Sequence, residues 1–162
     1  MYIYKLEIEA GAADINSRLA DQNAANRRKT VAQLNDQAKQ IDDHIAHEKE
    51  MLQKGFWECE DGHAEEGPTP EELKEKAGEA DVEPQLCAEC KKPLKYVKWD
   101  RLTPKEQYDE NKDQEDALKI AASKRQLALQ EEGNAKGGEQ MASKFRQDAQ
   151  NSRQTADRVR KV

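Results

Sequence analysis

Apolar side chains recur at alternating spacings of three and four residues along the first third of the chain. The clearest run is Val31, Leu34, Ala38, Ile41, Ile45, Glu48 and Leu52, with a single acidic member. In an α-helix this spacing places the side chains in one narrow stripe, which is typical of a coiled-coil seam. The pattern predicts a long helix over about residues 12–54, ended by Gly55.

A second run precedes the first. Ile8, Ala12, Ile15 and Leu19 follow the same spacing rule in a different phase. The change of phase predicts a stutter within residues 21–29, where a supercoil would locally unwind. Residues 1–10 partly alternate between apolar and polar and could form a short strand. Because no partner strand is evident, we favour the start of a helix.

The second long helix is predicted from its first residues. Thr103-Pro104-Lys105-Glu106 is a capping box with proline at the first helical position, and helix-forming composition continues to about Arg160. The glycine-rich segment 133–138 is predicted to weaken or bend this helix.

Between the helices lie two groups of metal-ligand residues. Cys59 and His63 form one group, and Cys87 and Cys90 form a C-x2-C pair. Zinc prefers four nitrogen or sulfur ligands, and chains commonly supply them in pairs two to four residues apart. Gly62 can adopt the positive φ that a tight turn between the first two ligands requires. The sequence predicts one structural Zn²⁺ per chain, held by the Cys59–His63 pair and the Cys87–Cys90 pair.

The alternative is that the cysteines are incidental or that two of them form a disulfide. All three cysteines fall within the ligand pattern, and their odd number argues against a disulfide framework. A catalytic zinc site keeps one position open, whereas four protein ligands are available here. His44 and His47 are interpreted as solvated side chains. We therefore expect no catalytic residues, no organic cofactor and no enzyme activity.

The metal-ligand segment resembles zinc-ribbon knuckles in general. The resemblance rests on Trp-x-Cys-x-x-Gly-His from Trp57 and Cys-x-x-Cys-Lys-Lys-Pro-Leu from Cys87, and it covers only about residues 55–100. It implies a small module whose core is the metal and a few rings. It indicates no particular family.

Composition limits the fold class. The chain has 162 residues, of which 37% are charged, 35% hydrophobic and 5% aromatic. Such a chain cannot build a large globular core, and its abundant Ala, Glu, Gln, Lys and Arg favour long helices. No apolar run reaches the ~18 residues of a membrane span, and the N-terminus lacks a signal-peptide pattern. We expect a cytoplasmic protein without membrane contact.

Residues 64–86 form an acidic insertion between the two pairs of ligands. The insertion carries eight acidic and two basic residues, a net charge equal to the −6 of the whole chain. Thr69-Pro70-Glu71-Glu72 is a capping box that predicts a short helix from Pro70 to Ala77, closed by Gly78. We expect this segment to project as a solvated surface helix.

Together these elements predict an all-α protein, a long antiparallel coiled-coil hairpin with a small zinc-ribbon-like module inserted at the turn. Residues 1–54 form the first arm, 55–102 the zinc module with its insertion 64–86, and 103–162 the second arm. Setting the arms side by side gives pairs whose residue numbers add to about 160. This register places Leu19 near Met141, Ile15 near Phe145 and Arg28 within reach of Glu132.

We expect a non-catalytic structural or adaptor protein that mediates protein–protein interaction or assembly, with self-association as a homo-oligomer left open. The chain resembles the zinc hook of coiled-coil ATPases of DNA break repair in placing metal ligands at a helical turn. It departs from the hook in carrying all four ligands itself. One alternative is a regulator of the transcription machinery, because secondary-channel factors of bacterial RNA polymerase also combine a helical hairpin with an acidic tip.

The other alternative is a nucleic-acid-binding zinc ribbon. Basic side chains surround two rings in this region, a mixture that can contact phosphates and bases. They are Lys91, Lys92, Lys95, Lys98 and Arg101, around Tyr96 and Trp99. The adjacent acidic insertion repels phosphate, so a nucleic-acid partner is not favoured.

Overall fold

The computed structural model describes all residues from Met1 to Val162. Two long helices pack against each other, and a small sheet and a short helix lie between them in the sequence. The elements in chain order are α1 (Tyr2–Lys54), β1 (Phe56–Glu58), β2 (Ala64–Glu65), α2 (Pro70–Ala77), β3 (Lys95–Val97), a single 3₁₀ turn (Trp99–Arg101) and α3 (Pro104–Arg160). The predicted all-helical arrangement is therefore confirmed in its two long helices, and a three-stranded sheet is added.

The chain divides into two compact units, and both long helices contribute to each. Unit 1 comprises Met1–Lys39 and Ile120–Val162, and unit 2 comprises Gln40–Lys119. No helix is both long enough and apolar enough to cross a membrane.

Unit 1 is held together by small side chains. On α3 an alanine is buried at every seventh position, namely Ala121, Ala128, Ala135, Ala142, Ala149 and Ala156. The buried residues of α1 in this unit are Leu6, Ala10, Ser17, Ala24 and Ala38. A seven-residue repeat keeps one face of a helix turned towards its partner. The core of unit 1 is therefore an antiparallel seam made almost entirely of alanine.

This seam corrects the predicted stutter. Ile8, Ile15 and Leu19 are 56%, 59% and 53% exposed, so they do not form the seam. Instead, Ala10, Ser17 and Ala24 lie at seven-residue intervals in phase with Val31 and Ala38. One phase thus runs through residues 21–29 without a break. The seam chosen from the larger apolar residues was wrong because, at this seam, the positions facing the partner helix are occupied by small ones.

The alanine seam allows the two backbones to approach closely. A Cβ added at Gly138 would stand 3.4 Å from Ala24 Cβ and 3.5 Å from the carbonyl oxygen of Ala20. The helix continues through the glycine-rich segment 133–138, so the predicted weak point is not an interruption. Gly138 instead lies against the partner helix, where a Cβ would make ordinary van der Waals contacts with Ala20 and Ala24.

Ion pairs repeat along one side of the seam of unit 1. Four pairs join α1 to α3 at seven-residue intervals, and the residue numbers of each pair add to 167. We call them the ion-pair row: Arg28–Glu139, Asp21–Arg146, Asp14–Arg153 and Glu7–Arg160. Arg28 pairs with Glu139, one seven-residue repeat beyond Glu132. Glu139 and, more weakly, Glu132 raise the pKa of Arg28, so Glu132 also lies within electrostatic reach, as the sequence predicts. Leu19 and Met141 line the same groove, as the predicted register requires.

Unit 2 joins the ends of the long helices to the sheet. Gly55 ends α1 with φ 87°, and its N–H donates to the carbonyl of Met51 at 2.8 Å. A Cβ at this position would stand 2.0 Å from Tyr96 Oη, so only glycine fits beside that ring. The predicted Thr103 capping box is present, with the Glu106 N–H donating to Thr103 Oγ1 at 3.2 Å. Ile45 and Leu52 are buried in this unit.

The sheet has the order β2–β1–β3, and both pairings are antiparallel. One edge strand, β2, belongs to the acidic insertion, and its Glu65 pairs with Trp57 of β1. The predicted short helix is confirmed as α2, with both bonds of its capping box in place and Gly78 after it at φ 60°. None of the residues of α2 is buried, so the predicted solvated surface helix is confirmed. The insertion is not separate from the module, however, because it also contributes β2 to the sheet.

Candidate metal centre

Two tight turns of unit 2 present the four candidate ligands. The first turn follows β1 and places Cys59 and His63 at its two ends, where the Cys59 N–H donates to the His63 carbonyl at 3.1 Å. Gly62 sits inside this turn at φ 83°, the conformation that the sequence predicts for it. The Gly62 N–H donates to the Cys59 carbonyl at 3.0 Å. The turn is thus built around its first ligand.

The second turn holds Cys87 and Cys90. A bridge between Leu86 and Pro93 closes its base. The N–H of Lys91 donates to the Cys87 carbonyl at 3.0 Å, and Lys91 adopts φ 60° to do so. Each turn therefore holds two ligand residues by backbone hydrogen bonds.

The four predicted ligands come together in space. Their sulfur and nitrogen atoms all lie within 4.8 Å of one another. His63 Nδ1 is 3.5 Å from both Cys59 Sγ and Cys87 Sγ, and Cys90 Sγ is 3.6 Å from Cys59 Sγ. Cys59 and Cys87 are buried, whereas Cys90 and His63 are half-buried. This group of three thiols and one imidazole could bind a metal ion.

A carboxylate outside the group orients the imidazole. His63 Nε2 lies 3.1 Å from Glu89 Oε2, on the side of the ring away from the sulfurs. An imidazole that donates from Nε2 to a carboxylate presents Nδ1 as a lone-pair donor. The sequence left open which nitrogen faces the cysteines, and this geometry selects Nδ1.

The thiols differ in their tendency to ionise. Burial opposes ionisation of Cys59, but hydrogen bonds from the backbone N–H groups of His63 and Asp61 and from the side chains of Cys90 and Cys87 together lower the pKa of that thiol. The pKa of Cys90 is raised to about 11: burial and the neighbouring sulfurs of Cys87 and Cys59 together outweigh the backbone N–H of Lys92, which acts in the opposite direction. Clustered thiolates repel one another, and a bound cation removes that penalty.

Ionic contacts tie the two turns to each other. Lys92 Nζ contacts Glu60 Oε1 at 2.8 Å and Asp61 Oδ1 at 2.9 Å, so a side chain of the second turn is bonded to the first. These two carboxylates raise the pKa of Lys92. The N–H of Ala88 also donates to Glu65 Oε1 at 2.7 Å. The acidic residues near the centre are thus engaged in holding its turns together.

Rings beside the centre fix the insertion to the sheet. Trp57 and Tyr96 lie 5.3 Å apart between ring centroids, and Trp57 Nε1 donates to the carbonyl of Pro68 at 2.8 Å. The Arg101 guanidinium lies 4.9 Å above the Tyr96 ring and donates to both carboxylate oxygens of Glu71 at 2.7 and 2.8 Å. Through these contacts α2 is attached to β1 and β3.

The sequence identified the ligand group but missed the surrounding contacts. The available signal for Glu89 was its place between Cys87 and Cys90, one residue before a ligand. Lys92 offered no signal, because its partners Glu60 and Asp61 are 31 or more residues away in the chain. His44 and His47 are exposed, as predicted.

Comparison with protein families, with curated proteins and with solved structures finds no match to this chain.

Proposed function

We propose that Cys59, His63, Cys87 and Cys90 bind one Zn²⁺ per chain and that this zinc is structural. In a tetrahedron with zinc–sulfur bonds of about 2.3 Å and zinc–nitrogen bonds of about 2.0 Å, neighbouring ligand atoms lie roughly 3.5–3.8 Å apart. The separations of 3.5 and 3.6 Å between these ligand atoms support that geometry. Soft thiolates with one imidazole favour zinc over magnesium or calcium, which prefer oxygen ligands. The module would then be a zinc-ribbon-like fold.

We further propose that the protein is a non-catalytic structural or adaptor protein that mediates protein–protein interaction or assembly. The observation that supports this proposal is the ligand group: the donor atoms of Cys59, His63, Cys87 and Cys90 lie within 4.8 Å of one another, so four donors of one chain would complete a zinc tetrahedron and leave no position for water or substrate. When bound, zinc would cross-link the turn that holds Cys59 and His63 to the turn that holds Cys87 and Cys90. The surrounding residues Glu89, Lys92 and Glu65 orient and hold those turns.

The contacts around the centre favour this function over the two alternatives. The basic side chains Lys92 and Arg101 are already paired with acidic residues of the module, which weakens the case for phosphate binding. Glu65 and Glu71 of the insertion serve as partners of Ala88 and Arg101. A transcription regulator would use carboxylates that face its partner, and these two of the eight acidic residues of the insertion are bonded within the module instead.

Replacement of zinc by Co²⁺ tests the closed site. We expect the cobalt-loaded protein to show the absorption of a tetrahedral thiolate site, unchanged by excess azide, because no position is open to it. The control is a cobalt-loaded carbonic anhydrase, whose open position takes up the same anion. A shift of the cobalt bands of this protein on addition of azide would contradict a purely structural site.

The adaptor role is tested by the size of the complex that contains the protein in its own cells. We expect the chain, detected by antibody after cross-linking and size exclusion, to elute well above the mass of two 18.4 kDa chains. Purified protein, cross-linked and run alone on the same column, serves as the size marker. Elution of the endogenous protein at the mass of one or two chains would overturn the adaptor proposal.

A further inference from the structure

Unit 1 carries the ion-pair row on one side and fewer charges on the other. On α1 the ion-pair row follows the seam alanines by four residues, as Asp14 follows Ala10, whereas Asn16 and Asn23 precede seam residues by one. At ~100° per residue these offsets place the ion-pair row and the asparagines on opposite sides of the seam. The same offsets hold on α3, where Glu139 follows Ala135 by four.

A groove of about 620 Å³ lies along the side with fewer charges. We call it the asparagine groove; its lining is Asn16, Leu19, Ala20, Asn23, Arg27, Gly133, Asn134, Gly137, Gly138, Met141 and Phe145. In a chain that is 37% charged, the only charged lining residue is Arg27, and Glu131 pairs with it at 2.7 Å. Depletion of charge is what distinguishes the centre of an interface from ordinary surface.

Apolar side chains continue this surface along both helices. Leu19 and Met141 are 53% and 56% exposed inside the groove. Ile120 and Leu127 lie in the same seven-residue row of α3 as Asn134 and Met141, and they are 54% and 50% exposed. The side of unit 1 away from the ion-pair row thus carries a stripe of half-exposed large side chains.

Two glycines of the groove have no role inside the chain. A Cβ at Gly133 or at Gly137 would meet no atom within 4 Å, and both residues are helical. Glycine in a helix interior costs about 1 kcal/mol relative to alanine. The open space at these two positions leaves room in the groove for a group from outside the chain.

We propose that a second copy of this chain docks in the asparagine groove, so that two copies of unit 1 form a four-helix assembly around a twofold axis. An interface between two identical surfaces brings like residues face to face, so charges on it would repel, whereas this surface is neutral. The amides of Asn16, Asn23 and Asn134 each carry a donor and an acceptor, and such groups are complementary to their own copies. An alanine seam buries little apolar area, and docking adds the burial that it lacks.

This inference rests on the proposed assembly function, because it names the surface and the partner with which assembly begins. It is tested on the purified zinc-loaded full chain by sedimentation velocity, at low and at high salt. We expect two chains per particle under both conditions, since an uncharged interface does not depend on ion pairs that salt would screen. A purified chain that sediments as a monomer would overturn the second-copy proposal and leave the adaptor role intact.

Gly137→Glu is the decisive variant. Its new side chain meets open space within the chain and improves helix propensity, but it places a charge in the groove opposite its own copy. We expect dimerisation to weaken about a hundredfold or more, with helicity unchanged by circular dichroism. Leu19→Glu, at a half-exposed position, should give the same result.

Gly11→Glu is the matched control. Gly11 is also helical, also has open space at its Cβ, and does not line the groove. We expect this variant to remain dimeric. Retention of the dimer in Gly137→Glu, or loss of the dimer in all three variants alike, would show that the asparagine groove is not the interface.

Discussion

Cys90→Ser is expected to reduce bound zinc from one ion per chain to none and to unfold the module between the long helices. One thiolate of the four ligands is lost, and structural zinc contributes roughly 10–16 kcal/mol of apparent binding free energy in small zinc domains. Most of the far-UV helical signal should remain, because α1 and α3 contain 53 and 57 residues with their own seam. Metal analysis, tryptophan fluorescence and circular dichroism measure the three effects.

A pair of histidine variants provides the control for this prediction. His63→Gln removes the imidazole of the ligand group, whereas His47→Gln removes an exposed imidazole of α1 outside it. We expect the first to lose zinc and the second to keep it at full stoichiometry. Tight zinc binding in Cys90→Ser, or complete loss of helicity in that variant, would contradict the division between metal-dependent module and independent helices.

The second large effect is expected from Ala121→Leu. Ala121 is completely buried at the seam, so three extra carbon atoms must push the backbones of α1 and α3 apart. Overpacking of this kind costs about 1–3 kcal/mol. The free energy of unfolding from urea titration at fixed zinc concentration measures the loss.

Ala122→Leu is the neighbouring control. Ala122 is exposed on the same helix, so the same substitution adds its side chain to solvent. Its effect should stay within about 0.5 kcal/mol. Equal destabilisation by both variants would show that the loss comes from helix propensity or solubility and not from the alanine seam.

Much of the fold could be predicted from local chemistry. Both capping boxes, at Thr69 and at Thr103, form the expected hydrogen bonds, because a cap involves only residues three positions apart. Gly55 and Gly62 take the positive φ angles that their turns require. The grouping of the four ligands was likewise visible in their spacing, and their atoms come together.

The seam of unit 1 could not be predicted from hydrophobicity alone. Large apolar side chains such as Ile8 and Ile15 are conspicuous in the sequence, but closely approaching helices have room only for residues such as Ala10 and Ser17. Alanine is so common in helices of every kind that its buried positions are recognised only by their strict interval of seven. That interval was present in α3 from Ala121 to Ala156 and outweighs the size of the residues between.

The place of the acidic insertion was missed for a different reason. A strand of two residues, such as β2, has no periodicity that a sequence can display. Its attachment depends on contacts over long sequence separation, including the bond from Ala88 to Glu65 and that from Arg101 to Glu71. Net charge described the composition of the insertion correctly but gave no information about which of its carboxylates have partners.

The seam and the ion-pair row of unit 1 repeat with the same interval of seven residues. Removal of one repeat from α1 together with one repeat from α3 would bring alanine back onto alanine and each acid back onto its arginine. The helix pair can therefore be shortened or extended in whole repeats by matched deletions or duplications. Each such change would preserve the buried seam and the ion-pair row. Such an architecture lets evolution adjust the length of unit 1 in discrete steps without redesigning its interior.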